Sequence, residues 1–399
     1  MTQLIETCNA TICRTYARLP VLFVRGEGCR LWDDTGKEYL DFLAGIAVCN
    51  LGHSHPLVAR AVCEQATTLV HVSNLFYTRP QIELARELTR RSFADKVFFA
   101  NSGAEANEAA IKLARKYSRD HFGPGRFHII AMTNSFHGRT LATLSATGQA
   151  KVHKGFEPLV EGFSFVPFDS VEAVRQAVTE QTCAVLVEPI QGEGGVRFPS
   201  RGYLRELKEF CRAHNLLLIF DEVQVGMGRT GTLFAHEQEE VNPDILTLAK
   251  ALANGLPIGA MLTHDAVAEA FSAGTHATTF GGTPLVTRAA LTTLEIIAEP
   301  DFLERVRSVG TYFLQRLTQL KEAHACVREV RGRGLLLAVE LDRPAQPVVE
   351  YCLEQGFVIN CVQDSVIRLA PPLIVEEDQI DRLLPVLDRA LSELEAVAA

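Results

Sequence analysis

Short runs of apolar and β-branched residues alternate with longer segments of helical periodicity through the first two thirds of the chain. Several of these runs are apolar at consecutive positions, which is typical of strands buried on both faces of a largely parallel sheet. The runs predict strands at residues 96–101, 128–134, 163–168, 183–190, 216–223, 245–249 and 258–263, with helices at 104–118 and 203–214. This alternation predicts an α/β domain whose ligand site lies at the strand ends.

The pattern changes after about residue 284, where longer helical stretches dominate. Helical periodicity covers residues 285–298, 301–324 and 377–398, and short apolar runs predict strands at 335–340, 357–360 and 366–369. Residues 22–43 have the composition of a hairpin. We therefore expect an N-terminal segment, 1–60, that joins a small C-terminal α+β domain, 285–399, and a large α/β domain, 61–284, that binds the ligand.

Composition limits the class of protein. The chain has 399 residues, 47% of them hydrophobic and 22% charged, with a formal net charge of −9. These values are ordinary for a globular protein of two domains, and the negative charge argues against a nucleic-acid partner. Because no apolar run approaches the roughly 18 residues that cross a bilayer, we expect no membrane partner. The ten cysteines are scattered without a Cys-x-x-Cys pair, which is typical of reduced thiols in a cytoplasmic protein.

A candidate phosphate site lies at residues 101–115, where an apolar strand meets a strong helix. Ser102 and Glu105 have the spacing of a capping box, so the helix should begin there. The free backbone N–H groups at a helix start bind phosphate, and the small side chains of Gly103 and Ala104 leave room for a ligand. The alternative is an ordinary, well-capped helix without a ligand.

Two further segments carry charged side chains at the ends of predicted buried strands. Asp221 lies near the end of one strand, and an anionic carboxylate there would keep a neighbouring pyridine nitrogen protonated. Lys250 follows the next strand, and a buried amine loses part of its preference for the charged form, so it can attack a carbonyl. Each residue has a structural alternative: Asp221 could cap a loop, and Lys250 could extend its ammonium group to solvent.

Three other patterns indicate function only weakly. Residues 226–231 match the dinucleotide pattern G-x-G-x-x-G, but a poor crossover helix follows and no acidic residue ends a second strand, so a nicotinamide dehydrogenase is a minor alternative. Cys49, His53 and His55 match no common zinc spacing and are interpreted as structural, so no metal is expected. A Ser-His-Asp hydrolase lacks support because no Gly-x-Ser-x-Gly sequence follows a strand.

Several of these segments belong to one ordered set: residues 102–107, 135–140, 188–195, 221–224, 226–231 and 248–250. In their order and spacing, from about Tyr16 to the C-terminus, the chain resembles the class III aminotransferases that depend on pyridoxal 5'-phosphate (PLP). The resemblance implies a fold-type I PLP-dependent transferase, which is an α/β fold with a mainly parallel sheet in its large domain. It also implies a homodimer with shared active sites.

The resemblance assigns roles to individual residues. It makes Lys250 the lysine that binds the cofactor covalently and later carries a proton, and it pairs Asp221 with the ring nitrogen. The other cofactor contacts would come from the helix start, from residues packed around the ring and from a threonine that reaches across the dimer: Ser102, Gly103, Ala104, Phe136, Val223, Gln224 and Thr279.

The implied substrates are N2-acetylornithine and 2-oxoglutarate, with glutamate as a product, as in arginine biosynthesis. Arginine suits carboxylates because its fork makes two parallel hydrogen bonds. By resemblance, Arg139 would bind the carboxylate of N2-acetylornithine, Thr278 would lie beside the substrate, and Arg368 would bind the α-carboxylate of glutamate. Glu193 would neutralise Arg368 while an ω-amino substrate is bound. The structural alternative for Arg368 is an ion pair without a catalytic role.

The sequence departs from the family pattern at three places. Ala277 stands where the family generally has Gly, Thr283 replaces a usual Asn, and Ala253-Asn254 interrupts a Gly-rich run. The added methyl group of Ala277 would narrow the substrate pocket, whereas residues 45–48, which lack an aromatic side chain, favour an acylated amine over free ornithine. The alternatives are another ω-aminotransferase, acting on succinylornithine, ornithine or 4-aminobutyrate, or an aminomutase or decarboxylase of the same fold.

Overall fold

A computed structural model describes residues 2–396 of the chain. The helices are α1 Thr2–Thr11, α2 Ala44–Ala47, α3 Pro56–Thr68, α4 Arg79–Arg90, α5 Gly103–Phe122, α6 Leu141–Ala146, α7 Ala150–His153, α8 Val171–Ala177, α9 Tyr203–Ala213, α10 Asp265–Ala268, α11 Pro284–Ile297, α12 Pro300–Ala323, α13 Gln346–Glu354 and α14 Glu377–Ala396. Two short 3₁₀ helices span Ala235–Glu239 and Lys250–Ala253. The predicted helix 377–398 corresponds to α14, and its residues 397 and 398 lie outside the described part.

The strands are β1 Phe23–Glu27, β2 Arg30–Asp33, β3 Glu38–Asp41, β4 Lys96–Ala100, β5 His128–Met132, β6 Phe163–Val166, β7 Thr182–Val187, β8 Leu217–Asp221, β9 Ile245–Leu248, β10 Gly259–Thr263, β11 Val327–Arg333, β12 Leu336–Leu341, β13 Phe357–Val358, β14 Asn360–Val362 and β15 Val366–Leu369. Seven of them form one sheet in the order β4-β10-β9-β8-β7-β5-β6. The neighbours from β9 to β6 are parallel, whereas β10 is antiparallel to both β4 and β9. The expected α/β fold with a mainly parallel sheet is confirmed.

The central strands are buried because both faces of the sheet are covered. Every residue of β7, β8, β9 and β10 is buried. In β7, Val185 and Val187 pack into one hydrophobic cluster, while Ala184 and Leu186 pack into another on the opposite face. Since parallel strands end at the same edge, the residues that follow β8 and β9 are brought together at the carboxyl edge of the sheet.

The C-terminal part is built on a second sheet, β11-β12-β15-β14, which is antiparallel throughout. Its apolar face packs with α12 and α14 in a cluster that also contains Leu40 and Phe42 of the N-terminal segment. In addition, β3 pairs in parallel with β13. These contacts support an N-terminal segment associated with the C-terminal part, and the division at residues 60 and 284 stays a prediction.

The predicted strands were too long at several ends, β11 was missed, and the single strand predicted at 357–360 is two strands, β13 and β14. The run 183–190 ends as a strand at Val187, because Pro189 cannot donate to a sheet ladder. Strand β11 was missed because charged residues occupy several of its positions and only two of its residues, Val327 and Arg331, are buried. Within residues 2–396, no helix is both long enough and apolar enough to span a bilayer.

Candidate active site

A cavity of about 460 Å³ opens at the carboxyl edge of the large sheet. Most of the site residues predicted from the sequence line it: Ser102, Gly103, Ala104, Phe136, Arg139, Glu193, Asp221, Val223, Gln224 and Lys250. Residues without a predicted role also contribute to its wall, among them Val48, Asn101, Asn107, His137 and Glu188. The volume is within the range of about 300–1,000 Å³ typical of sites for small molecules and cofactors.

The first turn of α5 forms one end of the cavity. The Ser102 hydroxyl accepts a hydrogen bond from the Glu105 amide at 3.2 Å, as expected for an N-cap, but the Glu105 carboxylate accepts from the Asn101 amide instead of the Ser102 amide. The predicted capping box is therefore only half formed. The amides of Gly103 and Ala104 precede the helical hydrogen-bond ladder, so they are available to an anion. A Cβ atom at Gly103 would lie 2.7 Å from a methyl carbon of Val223, which explains glycine at this position.

Asp221 is held by three donors at the end of β8. Its Oδ2 atom accepts from Asn107 Nδ2 at 2.7 Å and lies 2.8 Å from His137 Nδ1, while its Oδ1 atom accepts from the Val223 amide at 3.0 Å. Asn107 is fixed in turn by Thr247, whose hydroxyl donates to its side-chain oxygen. This set of donors fixes both the position and the orientation of the carboxylate in a buried environment.

The support of Asp221 by Asn107 and His137 was missed in the sequence analysis. Both residues lie inside the quoted segments 102–107 and 135–140, and both are buried. A polar residue on the mostly apolar inner face of α5 was the available signal for Asn107. His137 had no comparable signal, because its partner is distant in sequence.

Lys250 begins the 3₁₀ turn that follows β9, with a left-handed φ of 43°. Such a backbone conformation is costly for a residue with a side chain and is concentrated at functional sites. Burial lowers the pKa of Lys250; the negative charge of Glu193 opposes this shift and the positive charge of Arg368 adds to it. An amine with a lowered pKa is more often neutral and therefore more nucleophilic.

Arg368 on β15 is almost completely buried and faces Glu193 and Gln224. Its Nη1 atom donates to a carboxylate oxygen of Glu193 and, at 3.2 Å, to the side-chain oxygen of Gln224. Its Nη2 atom is buried without a hydrogen-bond partner among the residues described. Burial by itself would raise the pKa of Glu193, but the charges of Arg368 and Lys250 and the hydrogen bonds from Arg368 and Gln224 together outweigh burial and lower that pKa to about 2. Arg368 thus has a neutralising partner and an unused donor group.

Substitution of Glu193 by glutamine should remove a pH-dependent part of the stability. The folded-state pKa of about 2 lies below the ordinary value of 4.5, so the ionised carboxylate stabilises the fold above pH 4.5, and this contribution is lost as the pH falls from 4.5 towards 2. We expect the difference in Tm between wild type and Glu193→Gln to be constant at neutral pH and to narrow below about pH 4.5. A difference that stays unchanged down to about pH 3 would contradict the lowered pKa.

The remaining predicted substrate residues are Arg139, which lines the cavity, and Thr278; the predicted phosphate contact Thr279 lies elsewhere. Arg139 is exposed, and its guanidinium carbon lies 5.5 Å from the centre of the Phe136 ring. The Thr278 hydroxyl accepts from Asn101 Nδ2 at 3.1 Å, and Asn101 lines the cavity. Thr279 is exposed and lines a separate, small cleft. The structure therefore does not bring Thr279 into the cavity of its own chain.

The patterns judged weak in the sequence have structural roles. Residues 226–231 form a turn with positive φ at Met227 and Gly228 instead of starting a helix, so they do not build a dinucleotide site.

The histidine pattern also has a structural role. His53 Nε2 lies 2.7 Å from Asp41 Oδ2, and Asp41 Oδ1 accepts a hydrogen bond from the amide of Ala44. This contact holds the left-handed turn of α2 next to Val48 in the cavity wall. Among residues 2–396, no group of His, Cys, Asp or Glu side chains could hold a metal ion.

The donors of the cavity fit PLP. The free amides of Gly103 and Ala104 suit a phosphate group, and the Asp221 carboxylate suits a protonated pyridine nitrogen. The apolar side chains of Phe136 and Val223 line the same cavity and suit the two faces of a flat ring. Lys250 supplies the amine that an aldehyde requires.

Comparison with known proteins gives the same assignment. The family profile described as Aminotransferase class-III matches residues 11–391. The acetylornithine aminotransferase of Methanocaldococcus jannaschii is 50% identical over 379 residues, which cover 95% of each chain. The crystal structure of Toxoplasma gondii ornithine aminotransferase, described with partial occupancy of PLP at the active site, matches with a TM-score of 0.95 and 34% identity over 99% of this chain and 95% of that one.

A structure of acetylornithine aminotransferase from Elizabethkingia anophelis matches with a TM-score of 0.88 and 34% identity, covering 98% of this chain and 99% of that one. The family profile and the half-identical relative both extend over nearly the whole chain, including the cavity and the small C-terminal part. The chain therefore belongs to the class III aminotransferases, which are PLP-dependent enzymes.

Proposed function

We propose that this chain transfers the δ-amino group of N2-acetylornithine to 2-oxoglutarate, which gives N-acetylglutamate 5-semialdehyde and glutamate. The observation that carries the proposal is the buried Arg368–Glu193 pair: Glu193 lines the cavity, and Arg368 lies directly behind it with an Nη2 atom that has no partner among the residues described. The relative that is 50% identical bears the name acetylornithine aminotransferase, which supports the same substrate and a place in arginine biosynthesis. The cysteines are all free thiols, which supports a cytoplasmic location.

Each group of residues in the cavity has its own role in the reaction. When bound, PLP supplies an aldehyde that condenses with amines and a protonated ring that accepts electrons. Lys250 would bind that aldehyde and hold and move a proton at Nζ, and the burial that lowers its pKa favours the neutral amine that this role requires. Asp221 offers the negative charge that the ring nitrogen needs, and Phe136 and Val223 orient the ring. Ser102, Gly103 and Ala104 bind the phosphate through the start of α5.

Two carboxylate-binding groups fit the two substrates. We assign Arg139, at the exposed side of the cavity, to the carboxylate of N2-acetylornithine, and Arg368 to the α-carboxylate of 2-oxoglutarate and glutamate. Glu193 neutralises the charge of Arg368 while the amine donor is bound. Gln224 stabilises this ion pair, because it donates to Glu193 at 3.0 Å and accepts from Arg368. Thr278 lies beside the substrate, close to Ala277 in the same exposed loop.

A panel of amine donors tests this substrate assignment. With 2-oxoglutarate as acceptor, we expect kcat/KM to be highest for N2-acetylornithine and at least about 10-fold lower for ornithine and 4-aminobutyrate. Ornithine must desolvate its free α-ammonium group on binding, and 4-aminobutyrate lacks the acylamino group altogether. N2-succinylornithine is the matched comparison, since it differs only in the acyl group. A preference for ornithine, or turnover that does not need 2-oxoglutarate, would overturn the proposal.

We also infer that the enzyme works as a homodimer in which Thr279 contacts the phosphate bound by the partner subunit. In support, Thr279 is exposed and lies outside the cavity of its own chain. Large apolar side chains nearby are exposed as well: Leu75, Phe76, Tyr77 and Phe280. A patch of this kind on a globular protein marks an interaction surface.

Hybrid dimers test the shared site. The variants Thr279→Asp and Lys250→Ala should each be inactive alone, the first because its carboxylate repels the phosphate. Refolded together, they should regain activity, because one cavity of the hybrid then combines an intact Lys250 with an intact Thr279 from the other subunit. A mixture of Lys250→Ala and Asp221→Asn is the control, and it should stay inactive because both residues line the cavity of one chain. Failure of the first mixture to regain activity excludes the shared site.

A further inference from the structure

The turn at residues 226–231 contains a fully buried cation that has no role in the site described above. Arg229 is 0% exposed. Its Nη1 atom donates to the backbone oxygens of Leu335, at 2.9 Å, and Pro371, at 2.6 Å, and its Nη2 atom donates to the side-chain oxygen of Asn50. All three acceptors are neutral groups. Burial lowers the pKa of Arg229 to about 9, although the charge of Asp41 opposes this shift.

A buried charge without a hydrogen-bonded carboxylate is an inefficient way to stabilise a fold, because desolvation of the charge is poorly compensated. An apolar side chain at this position would avoid that penalty. The guanidinium instead fixes the positions of several acceptors relative to one another, because its rigid fork donates to all of them at once. The number and direction of its partners therefore point to a positioning role.

Two of the segments joined by Arg229 carry residues of the site. Asn50 closely follows Val48 in the cavity wall. Pro371 closely follows Arg368 at the end of β15. Arg229 itself belongs to the loop that follows Asp221 at the end of β8 and includes Gln224, so the guanidinium links the cofactor-binding loop of the large sheet to the segment that follows the strand carrying Arg368.

Further contacts rigidify this junction, by which we mean the turn at residues 226–231 together with the segments around Asn50, Leu335 and Pro371 that Arg229 joins. The Leu335 amide donates to the Arg229 carbonyl oxygen at 3.0 Å, and the Leu373 amide donates to the Asn50 carbonyl oxygen at 2.7 Å. Asn50 Nδ2 donates to the carbonyl oxygen of Met227 at 2.8 Å. A Cβ atom at Gly334 would lie 2.7 Å from the Arg229 oxygen, so the two chain segments are in direct contact.

We propose that Arg229 is a positioning residue that sets the place of Arg368 relative to the cofactor-binding residues of the large sheet. The inference rests on the role given to Arg368 under the proposed function. Because Arg139 lies after β5 and has no contact with this junction, binding of the amine donor through Arg139 does not depend on Arg229. The half-reaction with 2-oxoglutarate, which uses Arg368, does depend on it.

The test compares the two half-reactions in Arg229→Lys, which keeps the charge and loses the fork. Each half-reaction is followed in a single turnover by the absorbance of the holoenzyme's cofactor. For 2-oxoglutarate we expect kcat/KM to fall about 10- to 100-fold, since a displacement of about 1 Å is enough for such a loss. For N2-acetylornithine we expect a change of less than about 3-fold.

Arg305→Lys is the matched control. Arg305 on α12 also donates to backbone oxygens of the segment after β15, those of Leu373, Ile374 and Val375, but it does not reach the loop after β8. Both half-reactions should stay close to wild type in this variant. Measurements of Tm and of bound PLP accompany both arginine variants, so that a loss of folding or of cofactor is recognised.

Equal losses in the two half-reactions of Arg229→Lys, or equal behaviour of the two arginine variants, would overturn the inference and assign Arg229 a purely structural role. If the lysine variant does not fold, Arg229→Gln removes the buried charge and should show the same unequal loss. Failure of the underlying proposal has a different signature: Arg368→Lys would then keep wild-type kinetics with 2-oxoglutarate.

Discussion

Lys250→Ala is expected to lower kcat by at least about 10³-fold, because the variant lacks both the amine that binds the aldehyde and the group that moves the proton. The side chain lines the cavity, and burial lowers its pKa, so alanine removes a group already adapted to act as a nucleophile. Steady-state kinetics with N2-acetylornithine and 2-oxoglutarate measure the loss.

Lys208→Ala provides the control for this variant. Lys208 pairs with Asp244 at 2.7 Å in a half-buried ion pair that does not line the cavity. Its loss should affect stability slightly and leave kcat near the wild-type value. Turnover of Lys250→Ala at a rate close to that of Lys208→Ala would remove the basis for every role assigned to the cavity.

Asp221→Asn is expected to lower kcat by about 10²- to 10⁴-fold, since leaving one member of a buried charge pair without its partner costs about 3–5 kcal/mol. Asparagine has nearly the same shape as aspartate but no charge. Its amide would also face two donors, from Asn107 and His137, where the carboxylate now accepts from both. We expect kcat to fall more than the affinity for the substrates.

Glu222→Gln is the matched control, because Glu222 is the neighbouring buried acid and its side chain turns away from the cavity. Its carboxylate accepts from the amides of Ala235 and His236 at 2.6 and 2.8 Å. This substitution should lower Tm and leave the rate of the folded enzyme largely unchanged. If Glu222→Gln lost as much kcat as Asp221→Asn, the special role of Asp221 would be excluded.

The sequence allowed much of the fold to be predicted because local patterns determine it. Strands such as β7 and β8 are apolar at nearly every position, which directly reflects burial on both faces of a parallel sheet. Lys250 and Asp221 could be singled out because each interrupts or ends such a run. Strand β11, in contrast, has charged side chains at several positions, so its pattern did not distinguish it from a loop.

The supporting contacts could not be predicted because they join residues that are distant in the chain. The hydrogen bonds of Asp221 come from Asn107 and His137, and nothing in the local sequence of either residue indicates that pairing. The turn at residues 226–231 illustrates the opposite problem, since its glycines suggested a nucleotide site. In the structure they allow a tight turn that directs Arg229 into the junction between two parts of the molecule.

Hydride trapping tests the central claim most directly. The holoenzyme would be reduced with borohydride, digested and analysed by peptide mass spectrometry to locate the pyridoxyl group. The account predicts a single modified residue, Lys250, and no modification of Lys208 or of the other lysines. A pyridoxyl group on a different lysine, or none in protein freshly reconstituted with PLP, would contradict it.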